Sequence, residues 1–321
     1  MRQINRWLGT LCTIALLGAL LSACGTKNEV PEGSEAVESS SATRVYTDLL
    51  DRKVEIPAQP QKIVYYDGKT FGDILALGVK PIGADGRYFK ESMTVYPERF
   101  AGIEDIGFPI NLEKLINLKP DLIIMGVLGQ GNEIEQLSKI APAIVIDPDA
   151  PLEERLHTLG ELTGKTAEAE KWLASYQDKA EQTWQKLGKS ANIGADETAS
   201  VFMYAYEKKF YVMGRGLTAT LYQPSGFKPQ EAVQKALLDN KEPFLEISYE
   251  LLPDYTGDRV FLIVSEETSN AANELMNSTF WKNVAAVKNG LVYQVEARLS
   301  LPDAITRDKL LDELPGIMAK Q

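Results

Sequence analysis

The chain has 321 residues and a formal net charge of −11 at pH 7, from 34 Lys and Arg against 45 Asp and Glu. Such acidity excludes nucleic acid and anionic lipid surfaces as electrostatic partners. A single His and two Cys leave no material for a histidine-rich metal site or a four-thiolate zinc site.

Arg2 and Arg6 precede an apolar run from Leu8 to Leu21 that is too short and wrongly flanked for a spanning helix but suits an export signal. Leu21-Ser22-Ala23-Cys24 closes that run with small residues and puts a cysteine directly behind the cut, the pattern of a bacterial lipobox. Cys24 is therefore the expected first residue of the mature chain and its lipidation site, tethering the protein through buried acyl methylenes. Cleavage also removes Cys12, so the folded part has no thiol. It leaves 32 basic against 45 acidic residues, a charge of −13. Residues 25–43 are rich in Gly, Ser, Glu and Thr, cannot bury a core, and read as a flexible tether.

The remaining roughly 280 residues suit two lobes better than one small core. Strands are expected at 63–66, 81–84, 121–125 and 143–146, alternating with helices at 72–77, 112–118 and 133–140. That alternation implies crossover units and a mostly parallel sheet. A second set of strands falls at 200–206, 209–213, 259–264 and 291–295. Between the sets, residues 151–189 are helix formers broken at Gly164. The distal part places Leu173, Tyr176, Ala180, Trp184 and Leu187 at spacings of three and four, predicting an amphipathic helix of over twenty residues that reaches from one lobe to the other. The expected division is signal 1–23, tether 24–43, first α/β lobe 44–150, linking helical segment 151–190 and second α/β lobe 191–321. The halves echo each other: Asn111-Leu112-Glu113-Lys114-Leu115 precedes the strand near 122, as Ser248-Tyr249-Glu250-Leu251-Leu252 precedes the strand near 260.

Hydrolytic chemistry finds little support. A Ser-His-Asp enzyme would have to use His157, which suits a surface or capping role, and no Gly-x-Ser-x-Gly elbow occurs. Gly68-Lys69-Thr70 mimics the end of a phosphate loop, but Ile63 stands where its first Gly is required. Basic and aromatic residues do gather where strands end: Tyr66, then Arg87, Tyr88 and Lys90, then Tyr204, Tyr211, Met213 and Arg215, then Arg298. Ligands of open α/β sheets lie at the carboxyl ends of strands, so these groups are candidates for one cleft between lobes; the plain alternative is a solvated surface with packed tyrosines. Gly214 and Gly216 flank Arg215 and let backbone approach closely there.

With its lipobox, two α/β lobes, a single long linking helix, and the segments Asn111 to Leu115, Leu118 to Ile124, Lys139-Ile140-Ala141-Pro142 and Phe280-Trp281-Lys282-Asn283, the chain resembles the iron-siderophore substrate-binding proteins of ABC importers from about Arg44 to Leu314. Gly214-Arg215-Gly216 and Tyr211 make it most similar to the ferric-hydroxamate (ferrichrome-type) branch of Gram-positive bacteria. The resemblance implies two Rossmann-like lobes on a helical backbone, the helical-backbone periplasmic-binding-protein fold. It also implies an Fe(III)-siderophore cargo with no resident cofactor and no protein metal ligand. The expected partner is an ABC permease dimer, served by a monomer lipid-anchored on the extracytoplasmic face of the cell membrane, in a Gram-positive cell rather than a periplasm. Paired surface glutamates meeting permease arginines fall at Glu113 and Glu250, with Glu246 close enough to be the second partner instead. Met213 and Ala297-Arg298-Leu299-Ser300 stand where that branch often has aromatics, which shifts the expected pocket toward anionic chelates. Ferric citrate, other carboxylates and catecholates therefore stay beside hydroxamates, and haem or a corrinoid remains an alternative cargo.

Overall fold

Five short strands form the sheet of the first lobe: β3 (Ile63–Tyr66), β4 (Gly83–Ala84), β5 (Glu104–Asp105), β6 (Leu122–Gly126) and β7 (Ala143–Ile146). They follow an antiparallel hairpin, β1 (Thr43–Thr47) and β2 (Lys53–Pro57). The computed structural model describes residues 42–126, 131–204 and 209–319, so Cys24, the signal and most of the tether lie outside the described residues. These belong to one unit beginning at Ser41.

The first sheet runs in the order β5-β4-β3-β6-β7 with every pair parallel. Its central strands are buried on both faces, which is why they read as unbroken apolar runs. Val64, Ile123 and Val145 pack one face, while Ile63, Leu122, Ile124 and Ile144 pack the other. Helices α1 (Phe71–Ala76), α2 (Leu112–Leu118) and α3 (Gly131–Ser138) lie in the crossovers.

The second sheet contains β8 (Thr198–Tyr204), β9 (Phe210–Met213), β11 (Phe244–Ile247), β12 (Arg259–Val264) and β13 (Val292–Glu296) in the order β11-β9-β8-β12-β13. A short β10 (Lys228–Pro229) pairs beside the start of β8. β8, β12 and β13 are parallel; β9 runs antiparallel to β8 and β11.

The linking segment folds as α4 (Leu152–Thr163) and α5 (Thr166–Ser190), separated by Gly164, whose φ of 72° is the left-handed turn that ends α4. α5 has 25 residues and spans about 37 Å. Its Ala169, Tyr176 and Ala180 belong to the first-lobe core, its Trp184 and Leu187 to the second. The C-terminal helix (Ala304–Ala319) makes the same crossing beside it: Ala304 and Leu311 join the first core, Leu310, Leu314 and Met318 the second. The sequence suggested one linking helix, and the structure adds this second crossing element. Lys179 Nζ joins them, lying 2.9 Å from both Asp308 Oδ2 and Asp312 Oδ1.

The start of the C-terminal helix is set in a buried polar junction. Asp303 caps it, accepting from Thr306 N at 2.9 Å and Thr306 Oγ1 at 2.7 Å. Asp73 of α1 accepts from Ala304 N and from Arg155 Nε of α4, each at 2.7 Å. Burial and the neighbouring Asp73 push the Asp303 carboxyl up to about 7.

Candidate functional site

The carboxyl ends of β12 and β13, with the first-lobe segment Lys90 to Ser92, line a cavity of about 830 Å³ that has walls from both lobes. Lys90, Glu91 and Ser92 enter from the first lobe; Ser265, Glu266, Glu296 and Arg298 enter from the second. Of the candidates read from sequence, the structure brings Lys90 and Arg298 together here. Arg298 Nε donates to Glu296 Oε2 at 2.6 Å, so its charge is already balanced. Three carboxylates face two cations around this cavity. Arg298 thus reaches the cavity with a counter-ion beside it, which the expectation of an anion-favouring pocket did not include.

Arg87 is placed by Asp85, whose carboxylate follows β4 and is fully buried. Asp85 Oδ1 accepts from both the Arg87 backbone N–H and Nε at 3.0 Å, and Asp85 Oδ2 accepts from Nε at 2.9 Å. The guanidinium covers the Phe108 ring, 3.2 Å from its centroid, and stays half-exposed. These hydrogen bonds to Asp85 hold its pKa above the usual value. Tyr88 lies across Gly68, where an added Cβ would sit 2.0 Å from its ring. Burial raises the Tyr88 hydroxyl, against the opposing pull of Arg87.

Two tyrosines leave the candidate set. Tyr66 is 1% exposed in the first-lobe core, stacked toward Phe108. Tyr204 is 3% exposed among Phe202, Phe210 and Val212, with its hydroxyl 3.4 Å from that of Tyr249. Strand alternation explains the latter: residue 204 points with Phe202 into the core, while Met203 pairs with Tyr211 on the other face. Tyr211 and Met213 share that other face of β9, opposite the buried Phe210 and Val212. Tyr211 packs edge-on against Phe244, and its hydroxyl donates to Glu246 Oε2 at 3.4 Å.

Arg215 follows β9 in a loop that both neighbouring glycines require. A Cβ on Gly214 would lie 2.4 Å from the Glu242 carbonyl oxygen, and one on Gly216, with φ at 74°, 2.3 Å from that of Ser300. The guanidinium donates to the Lys241 carbonyl and pairs across the lobes with Asp149, which follows β7. The acids Asp85, Asp149, Glu91, Glu266 and Glu296 were not foreseen. Their available signal was position: Asp85 and Asp149 stand just past strand ends, as the candidate cations do.

Glu113 lies in the first turn of α2, capped by Asn111, whose Oδ1 accepts from Lys114 N at 3.0 Å. Glu250 occupies the turn Tyr249–Leu251 that enters the helix Leu252–Tyr255. The Ser248 side chain lowers its carboxyl pKa through a hydrogen bond. Both glutamates are exposed, each close to an exposed apolar residue, Ile116 at 55% and Leu251 at 44%. Glu246 instead lies on β11, engaged by Tyr211 and 3.4 Å from Lys209 Nζ, so it does not occupy the place equivalent to Glu113. His157 lies on α4, 3.1 Å from Glu170 of α5, away from the cleft.

Residues 63–299 match the periplasmic binding protein family, and the chain belongs to it. It is a substrate-binding protein and not an enzyme. It is 32% identical to the iron(3+)-hydroxamate-binding protein FhuD of Bacillus subtilis, over 92% of each chain. Its fold is similar to SirA of Staphylococcus aureus complexed with staphyloferrin B, with a TM-score of 0.75, 25% identity, and coverage of 86% of this chain and 99% of that one. It is also similar to FhuD2 of Staphylococcus aureus with bound ferrioxamine B, at TM-score 0.69 and 26% identity, covering 81% of this chain and 99% of the other.

Proposed function

We propose that this chain is a lipid-anchored receptor that captures a ferric siderophore between its lobes and delivers it to an ABC importer at the extracytoplasmic face of the membrane. The observation that carries the reading is the cavity at the strand ends, walled by both lobes, in a chain similar to binders of iron(3+)-hydroxamate and ferrioxamine B. Iron(III) arrives already wrapped in its own oxygen ligands, so the cleft needs directed donors and apolar cover in place of metal ligands. Lys90 is the donor that lines the cavity itself; Arg215 and Arg87 as further donors, and Tyr88, Tyr211 and Met213 as cover, stand at strand ends outside its lining and are assigned to a cargo that extends beyond it.

The charge of the wall favours hydroxamates over the other chelates. Three hydroxamates neutralise iron(III), whereas catecholate and citrate complexes carry net negative charge. A cavity lined by Glu91, Glu266 and Glu296 against Lys90 and Arg298 suits the neutral complex. Cys24 holds the receptor at the membrane. Glu113 and Glu250, in corresponding places of the two lobes, let a single copy straddle a permease dimer through arginine pairs.

Titrating the protein with ferric hydroxamates, ferric citrate, a ferric catecholate, haem and cobalamin, following tryptophan quenching, tests the assignment. The hydroxamates are expected to bind tightest. Saturable binding of haem or cobalamin alone would replace the cargo.

A further inference from the structure

Asp149 and Arg215 come from opposite lobes, and each is held by its own backbone. Asp149 sits in the turn after β7, its N–H donating to Asp147 Oδ1 at 2.9 Å. The next residue is anchored too, because the Ala150 carbonyl accepts from the buried Arg155 Nη1 at 2.7 Å. Arg215 is fixed by Gly214, whose N–H donates to the Pro243 carbonyl at 2.9 Å, and by Gly216 against Ser300. One terminal nitrogen of the guanidinium meets Asp149 and the other the Lys241 carbonyl. A guanidinium has five N–H donors in a rigid fork, and these two contacts use its two terminal nitrogens. The pair is partly solvated, with side chains 31% and 53% exposed.

We infer that Asp149 is an internal competitor for Arg215: its carboxylate occupies the position that an acceptor oxygen of the cargo takes, and binding exchanges one for the other. The inference rests on Arg215 facing the cargo, as the functional reading has it. The exchange gives the site a threshold. A ligand must present an oxygen group good enough to displace a carboxylate already in place, so weakly accepting solutes gain nothing from Arg215. It also ties cargo to lobe geometry, because displacing Asp149 breaks a contact that joins the lobes in the ligand-free chain.

Partly exposed ion pairs are weak, so the competition is modest, and Asp149→Asn should tighten binding of a ferric hydroxamate by about two- to fivefold. The gain should vanish when Arg215→Ala is already present, since nothing is left to compete for. Unchanged or weaker binding by Asp149→Asn, or a gain that persists with Arg215→Ala, overturns the competitor role. A parent that binds none of the chelates sinks the cargo reading instead. The pair is then judged in the ligand-free chain from the NMR resonance of Arg215 Nε–H, which Asp149→Asn must move; an unmoved resonance overturns it.

Discussion

Tyr176 and Trp184 lie on one helix about 12 Å apart along its axis, yet they belong to the hydrophobic cores of different lobes. The transfer takes place between Ala180 and Trp184, where α5 leaves the first core and enters the second. Tyr176 marks the crossing from the other side, its hydroxyl accepting from Gln223 Nε2 at 2.7 Å and Arg307 Nε at 3.2 Å. The lobes are joined by packed helix, which restricts the motion available to the cleft compared with a hinge of extended strands.

Trp184 is 2% exposed and packs edge-on against Phe227. Trp184→Ala should therefore cost about 3–5 kcal/mol of stability in urea unfolding. Lys179→Ala, which removes a partly solvated contact between the two crossing helices, should cost no more than about 1 kcal/mol. Equal losses from the two would contradict the assignment of Trp184 as the anchor of the strut.

The polar junction predicts a pH dependence. Asp303 titrates near 7 in the folded chain, against about 3.9 when unfolded. Between those values the folded state holds a proton that the unfolded state has released, so this group's contribution to stability declines as pH rises from about 4 to 7 and levels off above. Asp303→Asn should match the parent near pH 4 and exceed it above pH 7, by about 1–3 kcal/mol. Urea midpoints measured across that range check the sign, and parallel curves for the two proteins would refute it.

Docking is tested by changing Glu113 and Glu250 to Ala together. Uptake of the cargo by cells should be lost while affinity in solution is unchanged, because both carboxylates lie on exposed turns away from the cavity residues. Normal uptake by the double variant would remove the permease assignment.

The proposed anchor is tested at Cys24. Cys24→Ala should release a folded, ligand-competent protein from the membrane and abolish metabolic acyl labelling, and labelling that survives the change would place the lipid elsewhere.

Much of the fold is written locally in the chain. The apolar runs of β3, β7 and β12 and the helix α2 fall where the sequence pattern puts them, because that signal depends on near neighbours. β11 escaped because it is an edge strand with Phe244, Leu245 and Glu246 all exposed, leaving no alternation to read. The C-terminal helix escaped because it carries Pro315 and is buried by two lobes on different sides, so it lacks one apolar stripe. The candidate cations were read as basic residues after strands, but the counter-ions beside them were not. Asp149 reaches Arg215 through pairing distant in sequence, and Glu296 is set beside Arg298 by the turn after β13. Tyr204 was a misreading that strand parity could have prevented, since it shares the face of Phe202.

The most direct test of the account is the affinity of the Cys24→Ala protein for a ferric hydroxamate, compared with the same protein carrying Arg215→Ala. A charge-assisted hydrogen bond to a chelate oxygen contributes about 1.5–3 kcal/mol, so the second protein should bind about ten- to a hundredfold more weakly while unfolding at the same urea concentration. Equal affinities would place the cargo away from Arg215 and contradict the cleft described here.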